Sequence, residues 1–292
     1  MKIYSQMTNL ELINNFTEYL KENNKSVSTI IAYKKDLEQF HEINKGKEFS
    51  LYSPDDIKSA VNELRNVHKL TLKTVSRKIN SIRSFFKYLY TKKLVNVNPS
   101  SEINHPKYRN KKPRVLSQME YFALREASRN NFRLNTMIEL LLQTGLRISE
   151  LSNLQKRDIY LDEKSPYLVV RGYSSTEERA VPLNHKVKQC LRSYLNQDKT
   201  LFQPLFSTKT GKNIEIRNIR TSIDKAIANA QIKNACVNDL RNTFIVAQLA
   251  NGISLDNLAK IVGHKNINTT LKYTMMLPKK YQPNGINHVV EL

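Results

Sequence analysis

At 292 residues, 40% hydrophobic and 25% charged, the chain has the composition of a soluble globular protein and the length for two domains that each bury a core. Lys and Arg number 47 against 26 Asp and Glu, a net charge of +21 with a sequence pI near 9.8, so the natural partner is a polyanion whose phosphates release counterions on binding, nucleic acid first. The composition excludes a disordered chain, and no run approaches the roughly 18 apolar residues of a membrane span.

Residues 1–7 hold no signal-like apolar stretch, which predicts a cytoplasmic protein. An anionic membrane surface would need a basic amphipathic helix with exposed Leu, Phe or Trp, and the chain has no Trp. Cys190 and Cys236 have no neighbours at metal-ligand spacing, so they read as reduced core thiols, with no metal site.

Residues 9–95 read as a compact helical domain. Leu12, Ile13, Phe16, Tyr19 and Leu20 recur at helical spacing and stop before Asn23 and Asn24. A second helix is expected after Ser28, with Ile30, Tyr33, Leu37 and Phe40 on one face. Ser53-Pro54-Asp55-Asp56 joins an N-cap, a proline at the first helical position and acids in the first turn, opening a third helix.

Val75, Ile79, Ile82, Phe86 and Leu89 form the buried stripe of a fourth helix, while Lys73, Ser76, Arg77, Asn80, Arg83, Ser84 and Lys87 fall on the other side. No Asp or Glu lies between Thr71 and Lys93. A basic face without acids suits a phosphate backbone or a major groove, which makes Lys73, Arg77, Asn80, Arg83 and Lys87 candidate DNA contacts; a merely solvated face is the plain alternative.

Asn98-Pro99 ends this domain, taken as 1–98, because a residue before proline avoids helical geometry. Residues 99–115 read as an extended basic linker. Its stretch from Ile103 to Val115 holds two prolines and five Lys or Arg, with Lys111 and Lys112 as further DNA contacts. Two domains on such a strap would clamp a duplex from opposite faces.

The second domain, 116–292, opens with a capping box, Ser117 and Glu120. Met137 to Gln143 is an apolar helix that closes at Gly145. Arg147 follows that break, and Glu150 stands three residues on, placed to orient its guanidinium. Tyr167–Arg171 and Arg179–Leu183 flank a polar turn and form a β-hairpin, and Leu205-Phe206 adds a short further strand. Helices are expected over roughly 216–230, 239–250 and 254–262, the last closing at Gly263, with a final helix from near Asn268 that carries Tyr273. The fold class is mainly α with a small antiparallel β-sheet: a helical N-terminal domain and a mixed α+β domain.

Four side chains suggest chemistry if the fold gathers them: Arg147, Arg241, His264 and, nine residues later, Tyr273. Two fixed cations and an imidazole around one phenol make a site for covalent phosphodiester cleavage. Guanidinium groups bind phosphate bidentately and stay charged, and a pair of them offsets the charge that builds on a pentavalent phosphorane. The phenol, with a reference pKa of about 10, needs cations or a base to become a nucleophile. Taken singly, each residue has a plain structural reading as a helix cap or a packed ring.

These stretches resemble the tyrosine recombinase family, also called the phage integrase family, which includes the Xer recombinases and many transposon resolvases. Residues 28–40 are similar to the opening of its core-binding domain, and Asn98-Pro99 with Leu116–Glu120 to its boundary with the catalytic domain. Thr144-Gly-Leu-Arg-Ile-Ser-Glu-Leu151, Asp239-Leu-Arg-Asn-Thr-Phe244, Val262-Gly-His264 and Tyr273 fall in the family's order. The resemblance implies that Arg147 and Arg241 clamp phosphate, that His264 is the histidine of the Gly-His motif and that Tyr273 is the nucleophile of a 3′-phosphotyrosyl intermediate. That ester stores the energy of the broken bond, so no cofactor is implied for rejoining, and the protein's own cations neutralise the phosphate, so no metal is implied either.

The implied partner is double-stranded DNA with an inverted-repeat core site, bound by a dimer and, in a synapse with a four-way junction, by a tetramer. An accessory protein or second recombinase is left open. So is the biological role, whether cointegrate resolution, chromosome dimer resolution, or integration and excision. The tail from Tyr281 to Leu292, with Val289 and Val290, is expected by resemblance to dock on a neighbouring protomer.

The chain also departs from the family. A lysine usually sits in the hairpin turn and protonates the leaving 5′ oxygen; here Tyr173 follows Arg171-Gly172, and no lysine lies between Leu168 and Leu183. Asn238 stands where a histidine commonly precedes the second arginine, and Asn242 where one often follows it. Asparagine donates a hydrogen bond to phosphate but shuttles no proton. The general acid is therefore open among Tyr173, Arg179 and lysines such as Lys209 or Lys212. Two other functions stay open: a DNA-binding paralogue without turnover, and a relaxing topoisomerase with the same covalent chemistry.

Overall fold

The Thr8 hydroxyl accepts from the Glu11 amide while the Glu11 carboxylate accepts from the Thr8 amide at 2.7 Å, and this reciprocal box starts α1 (Asn9–Glu22). The computed structural model that contains it describes residues 7–109, 111–172, 177–198 and 202–277. The chain divides into two compact units at Lys111 and Lys112.

In the first unit α2 (Val27–Ile43) is capped by Ser26, whose hydroxyl accepts from the Thr29 amide, so it begins before Ser28 rather than after it. The Thr29 hydroxyl adds a second contact to Ser26 at 2.8 Å, which fixes the earlier of the two serines as the cap. Ser53 and Asp56 box the start of α3 (Pro54–Asn66), and Thr71 caps α4 (Leu72–Thr91). Phe16, Phe40, Phe49, Phe85 and Phe86 are fully buried between these helices. Phe49 and Phe85 meet edge to face at 4.8 Å, a geometry worth about 0.5–1.5 kcal/mol beyond area burial.

The expected extended linker from 99 does not begin there. Val95 and Ile103 are buried in the first unit's core, and the Ser76 hydroxyl, itself buried, pairs with His105 Nδ1 at 3.0 Å. Ile103 has apolar surface to remove from water and Ser76 needs a polar partner, so the chain stays packed on the helices past Pro99.

The second unit opens with the Ser117–Glu120 box at α5 (Gln118–Ser128). Its central helix is α6 (Phe132–Thr144), buried from Thr136 to Thr144 and closed by Gly145 at φ 62°. After α7 (Ile148–Asn153) come β1 (Ile159–Tyr160), β2 (Tyr167–Val170) and β3 (Arg179–Pro182), an antiparallel sheet in chain order. Leu168 pairs with Ile159 on one side and Val181 on the other, and Leu168, Val170 and Val181 face the core. Strand β1 is too short to carry an alternating pattern, and sequence reasoning missed it.

Leu205 and Phe206 are buried but form no strand; the chain around them makes only isolated bridges, Gln155 to Pro204 and Ser207 to Asn213. Their apolar side chains mark core, not sheet. Helix α8 (His185–Gln197) was also missed, although Val187, Leu191 and Tyr194 lie on one buried face behind an Asn184 cap. The remaining helices are α9 (Ile216–Asn229), α10 (Val237–Ala250), α11 (Leu255–Val262) and α12 (Ile267–Leu271). Helix α12 ends before Tyr273 instead of carrying it: the β-branched run Ile267, Thr269 and Thr270 favours a short helix, and Tyr273 caps a 3-10 turn over Thr274–Met276.

The expected class, mainly α with a small antiparallel sheet, is the one the chain adopts. Both cysteines are free, but Cys236 is exposed rather than in the core. Among the described residues no helix is long and apolar enough to cross a membrane.

Candidate active site

Gly263 takes the left-handed conformation, φ 67°, and ends α11 there, which leaves the Val262 and Gly263 carbonyls to be used by other groups. Arg241, on the buried face of α10, donates from Nη2 to Val262 O at 2.7 Å and from Nη1 to Gly145 O. Arg147, between the Gly145 cap and α7, donates from Nη2 to Gly263 O at 2.7 Å and from Nη1 to Val262 O at 3.4 Å. Two guanidinium groups thus share the C-terminal end of one helix, where carbonyl dipoles favour cations. Burial, and then the charge of Arg147, pushes the Arg241 pKa down to about 10, which leaves it charged at neutral pH.

The Glu150 carboxylate anchors the cluster. It accepts from the Arg147 amide and Arg147 Nη1, each at 2.8 Å, and from Arg179 Nη1 and Nη2 at 3.0 and 2.8 Å. Arg179 Nε donates to Ile261 O at 2.8 Å, so β3 is tied to the end of α11. Burial alone would raise the Glu150 pKa, but the Arg179 hydrogen bonds and charge, followed by those of Arg147, hold it below the usual carboxylate value.

His264 follows the Gly263 turn and pairs its Nδ1 with the buried Thr270 hydroxyl at 2.9 Å. Burial first, then the charges of Arg241, Arg147 and Arg179, push its pKa down to about 4, so the ring is neutral at physiological pH. The Tyr273 ring lies nearly parallel to it, 15° between planes and 6.3 Å between centroids. The Tyr273 hydroxyl donates to Asn242 Oδ1 at 2.9 Å. Burial raises the phenol's pKa against the opposing charges of Arg241 and Arg147. A phenol oxygen beside two guanidinium groups and a neutral imidazole is an arrangement suited to phosphoryl transfer.

Arg147, Arg241, His264 and Tyr273, with Glu150, therefore come together. Asn238 is exposed on α10, makes no contact with the Tyr273 hydroxyl, which bonds Asn242, and borders a cavity that Arg241 also lines, with Arg220, Asp224 and Cys236. The asparagine at the phenol is Asn242, which sequence reasoning noted only as a departure. Tyr173 lies outside the described residues, as does the tail from 281 to 292. Among the other proton-donor candidates, Arg179 is committed to Glu150 and Ile261 O, and Lys209 lines a different cavity with Arg133 and Thr208. Lys260 and Lys265, not anticipated, line the cavity of about 580 Å³ that borders His264.

In the first unit Lys73, Arg77, Asn80, Arg83 and Lys87 are all exposed along α4, and Lys111 and Lys112 are exposed as well. The face is not free of acids in space, however. Asp36, buried on α2, accepts from Arg77 Nη2 at 2.9 Å, from Lys78 Nζ at 2.8 Å and from Ser81 Oγ at 3.1 Å. Arg77 thus arrives partly neutralised, and Ser76 is buried against His105 rather than displayed.

Comparison with known proteins gives the class. The phage integrase family model matches residues 114–280, and the phage integrase, N-terminal SAM-like domain matches 13–93. The tyrosine recombinase XerC of Thermodesulfovibrio yellowstonii is 32% identical over 289 residues, 92% of this chain and 93% of that protein. The tyrosine recombinase XerD of Staphylococcus saprophyticus is 32% identical over 275 residues, 88% and 92% of the two chains. Among solved structures, the XerA recombinase superposes with a TM-score of 0.52 at 27% identity over 90% of this chain and 92% of that one. The XerH site-specific recombinase bound to palindromic difH substrate gives 0.75 at 18% identity, covering 93% and 82%, a likeness of fold. The chain belongs to the phage integrase family and is a tyrosine recombinase of the Xer-like type.

Proposed function

We propose that this site-specific recombinase cuts and rejoins double-stranded DNA at an inverted-repeat core site, with Tyr273 as the nucleophile. Arg147 and Arg241 bind the scissile phosphate, His264 serves as a neutral hydrogen-bonding group, and Glu150 orients Arg147. Lys73, Arg77, Asn80, Arg83 and Lys87 contact the duplex from the first domain, with Lys111 and Lys112 between domains. A dimer occupies one core site and four protomers form the synapse, in the cytoplasm where the DNA lies.

The reading is carried by one observation: Arg241 and Arg147 are both bonded to the Val262–Gly263 turn that delivers His264, and the Tyr273 ring stacks on that imidazole. Attack of the phenol oxygen on phosphorus forms the 3′-phosphotyrosyl ester and breaks the bond to the deoxyribose 5′ oxygen; the proton the phenol gives up is balanced by the one the 5′ oxygen gains as it leaves as a hydroxyl, and the reverse step rejoins the strand. A nicked suicide substrate tests this. Wild type should accumulate a covalent protein–DNA adduct and Tyr273→Phe none; an adduct in Tyr273→Phe would refute the assignment. Recombination by the purified chain alone, set against the same reaction in cell extract, decides whether a second recombinase or an accessory protein takes part.

A further inference from the structure

We infer that Asn242 is a positioning residue for the nucleophile: its amide, oriented by Asp239, holds the Tyr273 hydroxyl as a hydrogen-bond donor and so keeps the proton on the phenol. This rests on the assignment of Tyr273 as nucleophile. Asn242 Nδ2 lies 3.2 Å from Asp239 Oδ1. A carboxylate only accepts, so the amide nitrogen must face Asp239, and Oδ1 is left to face the phenol. Asp239 is itself buried and fixed, its other oxygen accepting from the Cys236 amide at 2.8 Å. Asn242 is buried too, and turning the amide over would set its oxygen against the Asp239 carboxylate with no donor between them.

The consequence is directional. An amide oxygen 2.9 Å from the phenol favours O–H and disfavours the phenolate, whose lone pairs would oppose it. The groups facing Tyr273 divide accordingly. Arg241 from α10 and Arg147 from the segment before α7 favour the anion, while Asp239, behind Asn242, favours the neutral form; the stacked His264 ring is uncharged at neutral pH. A phosphate bound at the arginines supplies a new acceptor, and the hydroxyl exchanges Asn242 for it as attack begins. The family resemblance marks 242 only as a position where a histidine often stands; the geometry gives the amide a role of its own.

The test is single-turnover adduct formation on the suicide substrate, at saturating protein, from pH 6 to 10, with DNA affinity measured in parallel. Removing a hydrogen bond that stabilises the protonated form lowers a pKa by about half to one unit. Asn242→Ala should therefore move the rate profile to lower pH by that amount and, with the phenol no longer held, lower the plateau about two- to tenfold. DNA affinity should be unchanged. Asn242→His places a titratable acceptor against the phenol, and its profile should gain an inflection near the imidazole range of about 6.5. A wild-type profile and plateau in either variant that still binds DNA would overturn the inference. Tyr273→Phe, run alongside, separates this outcome from failure of the nucleophile assignment, since only the latter leaves an adduct in that variant.

Discussion

Glu150 and Arg179 face each other through two parallel hydrogen bonds, 3.0 and 2.8 Å, with the carboxylate and the guanidinium both about nine-tenths buried. The same carboxylate holds Arg147. Removing it would leave Arg147, Arg179 and Arg241 without the anion that sits among them. Glu150→Ala is expected to cost about 3–5 kcal/mol, as for a broken buried pair, and to abolish adduct formation. Urea denaturation and the suicide-substrate assay measure the two effects.

Glycine is required at two turns of the site. A Cβ on Gly145 would lie 2.4 Å from Phe244 Cδ1, and one on Gly263 would lie 2.7 Å from Arg179 Nη1; both residues have positive φ. Left-handed backbone costs a non-glycine residue roughly 1–2 kcal/mol, and overpacking about 1–3 more. Gly145→Ala should be the more destabilising in a urea melt, because the Phe244 ring is fully buried. Gly263→Ala should lose more cleavage than stability, because the displaced group is Arg179 and the next residue is His264.

His264 makes acid sensitivity predictable. Its folded pKa of about 4 lies below the usual 6.5, so the unfolded chain binds the proton more readily across that interval. The stabilisation is complete above about pH 6.5 and is lost as pH falls toward 4. Thermal melts should be flat on this account above 6.5 and fall below it. His264→Gln should flatten that acid limb, and an unchanged limb would assign the sensitivity elsewhere.

The basic face of α4 separates into two kinds of residue. Lys73→Ala and Lys87→Ala should leave stability alone and each reduce the salt slope of DNA binding by about 0.9 for a lost phosphate contact. Arg77→Ala should also cost about 1–3 kcal/mol in folding, since it strips a charged hydrogen bond from buried Asp36. Affinity measured across a salt series, with urea melts beside it, distinguishes them.

How much of this was legible depended on whether a side chain's neighbours were local. The stripe Val75, Ile79, Ile82, Phe86 and Leu89 reads directly because helix period fixes which residues share a face, and all five are buried. The Ser117 and Ser53 boxes read directly because both partners lie within one turn. Asp36 beneath Arg77 does not, because the two are 41 residues apart. The same holds for the two asparagines near Arg241: motif order draws attention to Asn238, but the direction in which α10 presents Asn242 is set by packing on α6 and α11, which no local pattern encodes. Leu205 and Phe206 misled because buried apolar pairs look alike in core and in sheet.

One main-chain oxygen, that of Val262, receives a hydrogen bond from each of the two arginines, one residue before the glycine that delivers His264. Helix α11 therefore acts as a common mount: tilting it by a fraction of an ångström displaces both cations and the imidazole in concert, whatever the phenol does. Substitutions on its hidden side, at Leu258 or Val262, belong with the catalytic variants although they touch no phosphate.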